Sequence, residues 1–179
     1  CHMNKKKLKI LIVSLFVSLI IISFLIVLLT IIISEKKEKN FYEEQIKLYY
    51  EKKLTLYETE NEKYEDYEVD VAFIGDSLTD AYDLGHYYPE FIVSNRGIGG
   101  ETTIGLEKRM QVSVYDLKPK VVVMLIGANN MDTMFDNYEN ILIGLKQNLP
   151  DTEVVLLSLT AMGENWGKKN QLAAFNNVK

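Results

Sequence analysis

The chain has 179 residues, of which 47% are hydrophobic, and it carries a formal net charge of −5 at pH 7. This acidic balance, without a stripe of lysine and arginine, argues against a nucleic-acid partner, because phosphate binding needs clustered cations. The single cysteine, Cys1, cannot form an internal disulfide. Cys1 and His2 precede Met3 and are interpreted as a cloning remnant, so neither enters the functional argument.

The N-terminal part of the chain predicts a membrane anchor. Residues 1–9 combine the remnant with a basic segment, and residues 10–33 contain no charge, proline or glycine. As an α-helix the apolar segment would be roughly 36 Å long, enough to cross a hydrocarbon core about 30 Å thick. It is apolar on every face, which disfavours a buried core helix. No small-x-small cleavage site follows, so an uncleaved signal anchor is favoured over a signal peptide.

The lysines that flank this span predict its orientation. Lysines within residues 5–9 favour a cytoplasmic N-terminus, and Lys36, Lys37 and Lys39 on the other side partly offset that bias. We therefore expect a single-pass protein of the cell membrane with its C-terminal part outside. A domain that faces the cytoplasm is the alternative.

Residues 34–68 are rich in glutamate and lysine and contain neither glycine nor proline. Their apolar and aromatic residues recur at spacings of three, four and seven, which predicts one or two amphipathic helices: Phe41, Tyr42, Ile46, Tyr49, Tyr50, Leu54, Tyr57 and Tyr64. Two interpretations are open. The segment could be a stalk that lifts the next domain off the membrane and self-associates, or a helix that packs against that domain.

Beyond residue 68, short apolar strands alternate with helical segments, which predicts an α/β domain with a mainly parallel sheet over residues 69–179. The predicted strands are residues 69–74, 91–94, 120–126 and 153–159. The predicted helices run from Thr102 or Thr103 to about Leu117, then over residues 136–148, and over 168–179.

Three predicted strands end in small polar loops, namely 75–77, 95–100 and 127–130. In a parallel sheet these ends lie at one edge, so their polar groups could converge on one pocket. Ser77 could be a nucleophile there, with its own N–H, the glycine-rich loop and the Asn129 amide as oxyanion donors.

Each loop also has a plainer interpretation. Asp76 and Ser77 could merely cap a helix, and Asn129 could be a turn residue. The sequence Gly97-Ile98-Gly99-Gly100 could suggest phosphate binding, but its spacing matches neither G-x-G-x-x-G nor the Walker A pattern.

Together the loops resemble the sequence blocks of the SGNH, or GDSL-type, esterase and acylhydrolase family. Gly75-Asp76-Ser77-Leu78-Thr79 is similar to the first block and has Ser77 at the nucleophile position. Residues 95–103 resemble the second block, with Gly100 at the oxyanion glycine. Gly127-Ala128-Asn129-Asn130 resembles the third block, with Asn129 at the oxyanion asparagine and Asn130 in place of the usual aspartate.

The resemblance implies a three-layer α/β/α flavodoxin-like sandwich and a serine hydrolase that uses no cofactor or metal. Ser77 would attack an ester and form an acyl-enzyme that water resolves. The substrates implied are ester-bearing small molecules, acetylated glycans or lipids. Family and fold do not choose among them.

The family's last block, Asp-x-x-His, supplies the general base and its orienting acid, and no such motif follows the third block in the 179 residues. The second histidine, His86, follows the nucleophile block and is expected to be a surface or packing residue. We therefore expect a C-terminally truncated hydrolase in which Ser77 is a poor nucleophile. The alternative is a non-catalytic surface protein that binds a ligand in the same pocket. Trp166 could line such a pocket or simply pack.

Overall fold

In a computed structural model, which describes residues 4–159, the chain begins with one continuous helix, α1 (Lys5–Asn61). Its N-terminal part includes the predicted span, which is exposed along its whole length. The helix is long enough to cross a membrane, and its most apolar window has a mean hydropathy of 3.2. It is therefore compatible with a single-pass anchor.

The chain divides into two units, Cys1–Tyr49 and Tyr50–Lys179, so the last turns of α1 belong to the unit that contains the sheet. Phe41 and Tyr42 of the predicted aromatic stripe are more than half exposed, whereas Tyr57 is fully buried. Of the two interpretations of residues 34–68, the packed helix therefore describes residues 50–61.

The second unit is built on a parallel sheet of four strands among the described residues: β1 (Val71–Gly75), β2 (Val93–Gly97), β3 (Val121–Leu125) and β4 (Glu153–Leu156). The strand order is β2-β1-β3-β4, which is the flavodoxin-like order as far as the fourth strand. Apolar, β-branched residues form β1 and β3, as expected of strands between helical layers. The predicted α/β fold class is confirmed.

Short helices connect the strands: α2 (Ser77–Asp80), α3 (Leu84–Tyr87), α4 (Thr103–Lys108) and α5 (Phe135–Asn148). Thr102 caps α4 by accepting a hydrogen bond from the Gly105 N–H. The helix predicted to run to Leu117 instead changes to a π-helical segment at Gln111–Tyr115. The helix predicted over residues 168–179 and Trp166 lie outside the described residues.

The main core lies between one face of the sheet and helices α4 and α5. It joins strand residues with helix residues that are almost completely buried: Ile74, Val122, Met124, Leu106, Met110, Val114, Ile141 and Leu145. Alternate burial along β3 shows which face of the sheet this core covers.

One strand prediction was wrong in its limits. The second strand was predicted to end before Asn95, but β2 continues to Gly97, so the first residues of the predicted loop belong to the strand. Polar residues can stay in this strand because their side chains are paired: the Asn95 amide donates to the Thr79 carbonyl at 2.7 Å, and the buried Arg96 Nε donates to Ser94 Oγ at 2.6 Å. The β2 end therefore reaches the level of the β1 end, with Gly75 opposite Gly97.

Candidate active site

Ser77 is exposed and forms the first residue of α2, directly beyond the end of β1. Asp76 is buried and caps this helix, since its side chain accepts a hydrogen bond from the Leu78 N–H at 3.0 Å. The helix-cap interpretation thus holds for Asp76, while Ser77 stays accessible. Ser77 lies two residues beyond the end of β1, which is a central strand, and therefore at the carboxyl edge of the sheet.

The second loop approaches α2 closely because Gly97 has no side chain. A Cβ at this position would lie 2.2 Å from the Asp80 nitrogen, so a larger residue would force the loop away. Two backbone donors hold the loop there: the Ile98 N–H donates to the Gly75 carbonyl at 3.1 Å, and the Gly99 N–H donates to Asp80 Oδ2 at 3.1 Å.

Gly100 lies at the turn of this loop with a φ of +77°, in the left-handed region that favours glycine. A Cβ at Gly100 would meet no atom within 4 Å, and the residue is exposed. The space beside the predicted oxyanion glycine is therefore open to a ligand.

The third loop is tied to the second by two asparagines. Asn129 Nδ2 donates to the Glu101 carbonyl at 2.8 Å. The amide of Asn130, the departure from the family pattern, accepts from the Thr103 N–H at 3.1 Å and donates to Thr103 Oγ1 at 2.8 Å. Because an amide nitrogen carries two hydrogens, Asn129 keeps a second N–H for a ligand.

The structure therefore places Ser77, Gly100 and Asn129 on three loops that are joined by hydrogen bonds at one edge of the sheet. Their roles as nucleophile and oxyanion donors remain predictions. The arrangement suits acyl transfer, because an exposed hydroxyl and neutral N–H donors lie on adjacent strand ends.

A buried arginine that the sequence analysis missed organises these loops. Arg109 Nε donates to Glu101 Oε2 at 2.8 Å, and its Nη atoms donate to the carbonyls of Arg96 at 2.9 Å and Gly75 at 3.2 Å. Arg109 and Glu101 are both almost fully buried. A signal was present in the sequence, since Arg109 lies three residues after Leu106 and one before Met110, on the apolar side of the predicted helix.

A second buried arginine, Arg96, anchors the end of α1. Its guanidinium lies over the Tyr57 ring at 4.8 Å and forms an ion pair with Glu60 at 3.2 Å. The Tyr57 hydroxyl donates to the Gly97 carbonyl at 2.7 Å. Burial lowers the pKa of Arg96, while Glu60 raises it.

His86 lies in α3, between β1 and β2 in the chain. It is exposed, and its ring contacts Tyr87 edge to face at 4.9 Å. This agrees with the predicted surface or packing role. It is also the one histidine in residues 4–159.

An apolar cavity of about 300 Å³ lies beside α2. Its walls combine residues of the sheet face opposite the main core with residues of α2 and the segment that follows it: Phe73, Leu78, Thr79, Tyr82, Tyr88, Val123, Leu125 and Leu157. Leu78 directly follows Ser77, so the cavity reaches the same edge of the sheet.

Burial raises the pKa of Asp76, and the hydrogen bond from the Leu78 N–H opposes this. Because the pKa is higher in the folded state, the ionised carboxylate disfavours folding, and stability is lost as pH rises from the unfolded-state pKa, about 4, through the folded-state pKa. An asparagine in its place would keep the cap without ionising. We expect Asp76→Asn to raise the Tm at pH 7 and to have a smaller effect near pH 3, as measured by thermal unfolding. A pH-independent difference would contradict this.

The chain resembles a known protein family over most of its C-terminal part. The profile of the GDSL-like Lipase/Acylhydrolase family matches residues 73–178, more than half of the chain. No curated protein matches the chain.

Several solved structures are similar. A Streptococcus pneumonia protein, provisionally assigned as a platelet activating factor, is 26% identical with a TM-score of 0.63 over 74% of this chain and 65% of that protein. A provisionally assigned acylhydrolase from Bacteroides fragilis is 24% identical with a TM-score of 0.55, over 67% of this chain and 66% of that protein. A GDSL-like lipase from Bacteroides thetaiotaomicron is 24% identical with a TM-score of 0.56, over 69% of each chain.

The last two similarities show the fold alone. The chain spans 65% and 66% of the length of the first two structures, slightly less than two thirds. The family profile covers the three loops and, from residue 73 onward, the sheet that carries them. The chain belongs to the GDSL-like lipase/acylhydrolase family.

Proposed function

We propose that the protein is a membrane-anchored serine esterase in which Ser77 attacks the acyl carbon of an ester. The observation that carries this proposal is the hydrogen-bonded cluster of three strand-end loops, with exposed Ser77 on one and the open turn at Gly100 on the next. Attack would release the alcohol and leave an acyl-Ser77 intermediate, which water hydrolyses.

The oxyanion would be bound by the N–H groups of Ser77 and Gly100 and by Asn129 Nδ2. Each such donor is worth on the order of 10²–10³ in rate, because it is already aimed at the developing charge. Hydrogen bonds to Asp80 and to the Glu101 carbonyl hold Gly99 and Asn129 in these loops, which supports the proposal.

The hydroxyl of Ser77 also needs a base. His86 is exposed on α3 and pairs with Tyr87, which does not suit that role. We propose that an Asp-x-x-His block encoded beyond Lys179 supplies the base and its orienting carboxylate, and that the 179-residue chain alone is inactive.

The substrate would be an ester of a glycan or lipid outside the cell, acetyl esters included. The apolar helix at residues 10–33 would hold the protein at the membrane, and the lysines before it favour a cytoplasmic N-terminus. The segment at residues 34–49, exposed along α1, would be available for self-association.

Two forms of the protein test this proposal: the 179-residue chain and a chain extended along its native reading frame. We expect the extended chain to hydrolyse p-nitrophenyl acetate and to react covalently with a fluorophosphonate probe. Both activities should disappear in Ser77→Ala and persist in Ser34→Ala, a matched change at an exposed serine. An extended chain that neither hydrolyses the ester nor takes up the probe would overturn the proposal.

The apolar cavity favours a second candidate, a surface protein that binds an acyl group without cleaving it. This candidate predicts saturable binding of a short fatty acid with the same affinity in Ser77→Ala, and no labelling by the fluorophosphonate. Labelling of Ser77 would exclude it.

A further inference from the structure

We propose that the last turns of α1 position the oxyanion loop, with Lys53 as the positioning residue that acts through Asp80. The inference rests on the proposed function for its catalytic consequence. It goes beyond that function because it makes the end of the anchor helix a working part of the active site.

The end of α1 is docked onto the end of β2. Tyr57 is fully buried, and its hydroxyl donates to the Gly97 carbonyl at 2.7 Å, directly before the glycine-rich turn. One turn further along, Glu60 forms the ion pair with the buried Arg96. These contacts fix the helix relative to the strand from which the oxyanion loop emerges.

Lys53 extends this docking to the loop itself. Its Nζ forms a hydrogen-bonded ion pair with Asp80 Oδ1, and the two side chains are only 20% and 18% exposed. The other carboxylate oxygen, Oδ2, accepts the Gly99 N–H at 3.1 Å. Asp80 thus joins the anchor helix to the backbone of the loop, and charge-assisted hydrogen bonds of this kind are stronger than neutral ones.

The restrained backbone is the turn that carries the predicted oxyanion donor. The Glu101 N–H donates to the Ile98 carbonyl at 3.2 Å, so Gly99 and Gly100 are the two central residues of a β-turn. A φ of +77° at Gly100, the third turn residue, is the signature of a type II turn. In the type I alternative the peptide between the two glycines is rotated, which would turn the Gly100 N–H away from its present direction. That rotation leaves the Gly99 N–H in place, so the hydrogen bond from Gly99 to Asp80 fixes where the turn begins and does not select the turn type.

A positioning role differs measurably from a merely structural one. The Lys53–Asp80 pair is mostly buried, so Lys53→Met leaves the Asp80 carboxylate without its cation and should lower the free energy of unfolding as well. A positioning role predicts a further effect on the turn and on the rate of the chemical step that exceeds this global loss.

Hydrogen exchange of the 179-residue chain in detergent micelles tests the contact without requiring activity. In Lys53→Met we expect exchange of the Gly99 amide to rise about tenfold, well beyond the change in the core strands. Lys53→Arg should restore protection, and Lys52→Met, at the exposed neighbouring lysine, should leave it unchanged. Asp80→Asn provides a second variant, because it removes the ion pair and keeps an oxygen for Gly99.

The kinetic part of the test uses the extended chain. Lys53→Met should lower kcat about tenfold with KM within twofold, because loop misplacement weakens binding of the transition state more than of the ground state. Unchanged Gly99 exchange in both Lys53→Met and Asp80→Asn would overturn the inference. If the extended chain proves inactive, the exchange result still shows whether the Lys53–Asp80 pair restrains the Gly99 amide. Only the proposed function is then contradicted.

Discussion

In the proposed esterase, assayed as the extended chain, replacing Asn129 with alanine should lower kcat by about 10²–10³, with KM nearly unchanged. The amide would contribute an N–H to the oxyanion, whose charge exists in the transition state and not in the ester. Steady-state hydrolysis of p-nitrophenyl acetate measures both constants. The same change removes the hydrogen bond to the Glu101 carbonyl, which is worth only about 0.5–1.5 kcal/mol of stability.

Asn130→Ala is the matched control for this experiment. It removes the amide contacts that join the third loop to Thr103, and it leaves the predicted oxyanion donor in place. Its kcat should therefore fall much less than that of Asn129→Ala. A kcat for Asn129→Ala within about threefold of the parent, in a folded protein, would contradict an oxyanion role for this residue.

The sheet could be predicted because its strands depend on local chemistry. Val121 to Leu125 is an unbroken apolar run, and burial between layers is sufficient to make it a strand. The strand-end loops were predicted for the same reason, since glycine and small polar residues interrupt the apolar runs. The end of β2 was missed because Asn95 and Arg96 look like loop residues until their distant partners are known.

The support of the site could not be predicted from the sequence, because it depends on pairs that are far apart in the chain. The spacing from Leu106 and Met110 signals that Arg109 lies on the apolar side of its helix, but nothing local shows that it faces carbonyls of two different strands. The same applies to Tyr57, whose hydroxyl partner lies 40 residues later. The spacing of Tyr57 from the other aromatic and apolar residues predicts a packed helix face, but it does not predict which surface that face covers.

These pairs also explain how one continuous helix can begin with a long apolar segment and end as part of the α/β unit. Up to Tyr49 the described residues of this helix are exposed. From Tyr50 onward the helix contributes contacts to the ends of β2 and α2. Burial accordingly raises the pKa of Tyr50, and Glu101 raises it further.

Replacing Arg109 with methionine should lower the free energy of unfolding by about 3–5 kcal/mol. The variant would leave the Glu101 carboxylate buried without its cation, since the side chains of Arg109 and Glu101 are only 1% and 5% exposed. It would also remove donors from the carbonyls of Gly75 and Arg96. Urea unfolding of the chain in detergent micelles, followed by tyrosine fluorescence, measures the loss.

The origin of this loss can be separated from packing by a second change at Glu101. Arg109→Met combined with Glu101→Gln should be more stable than Arg109→Met alone, because a neutral amide costs less to bury than an unpaired carboxylate. Arg109→Lys should recover only part of the stability, since an ammonium cannot reproduce the planar set of donors. Lys108→Met, at the exposed neighbour, should change stability by less than about 0.5 kcal/mol. If Arg109→Met costs no more than that control, the ion pair does not hold the strand ends together, and the hydrophobic core alone sets the geometry of the site.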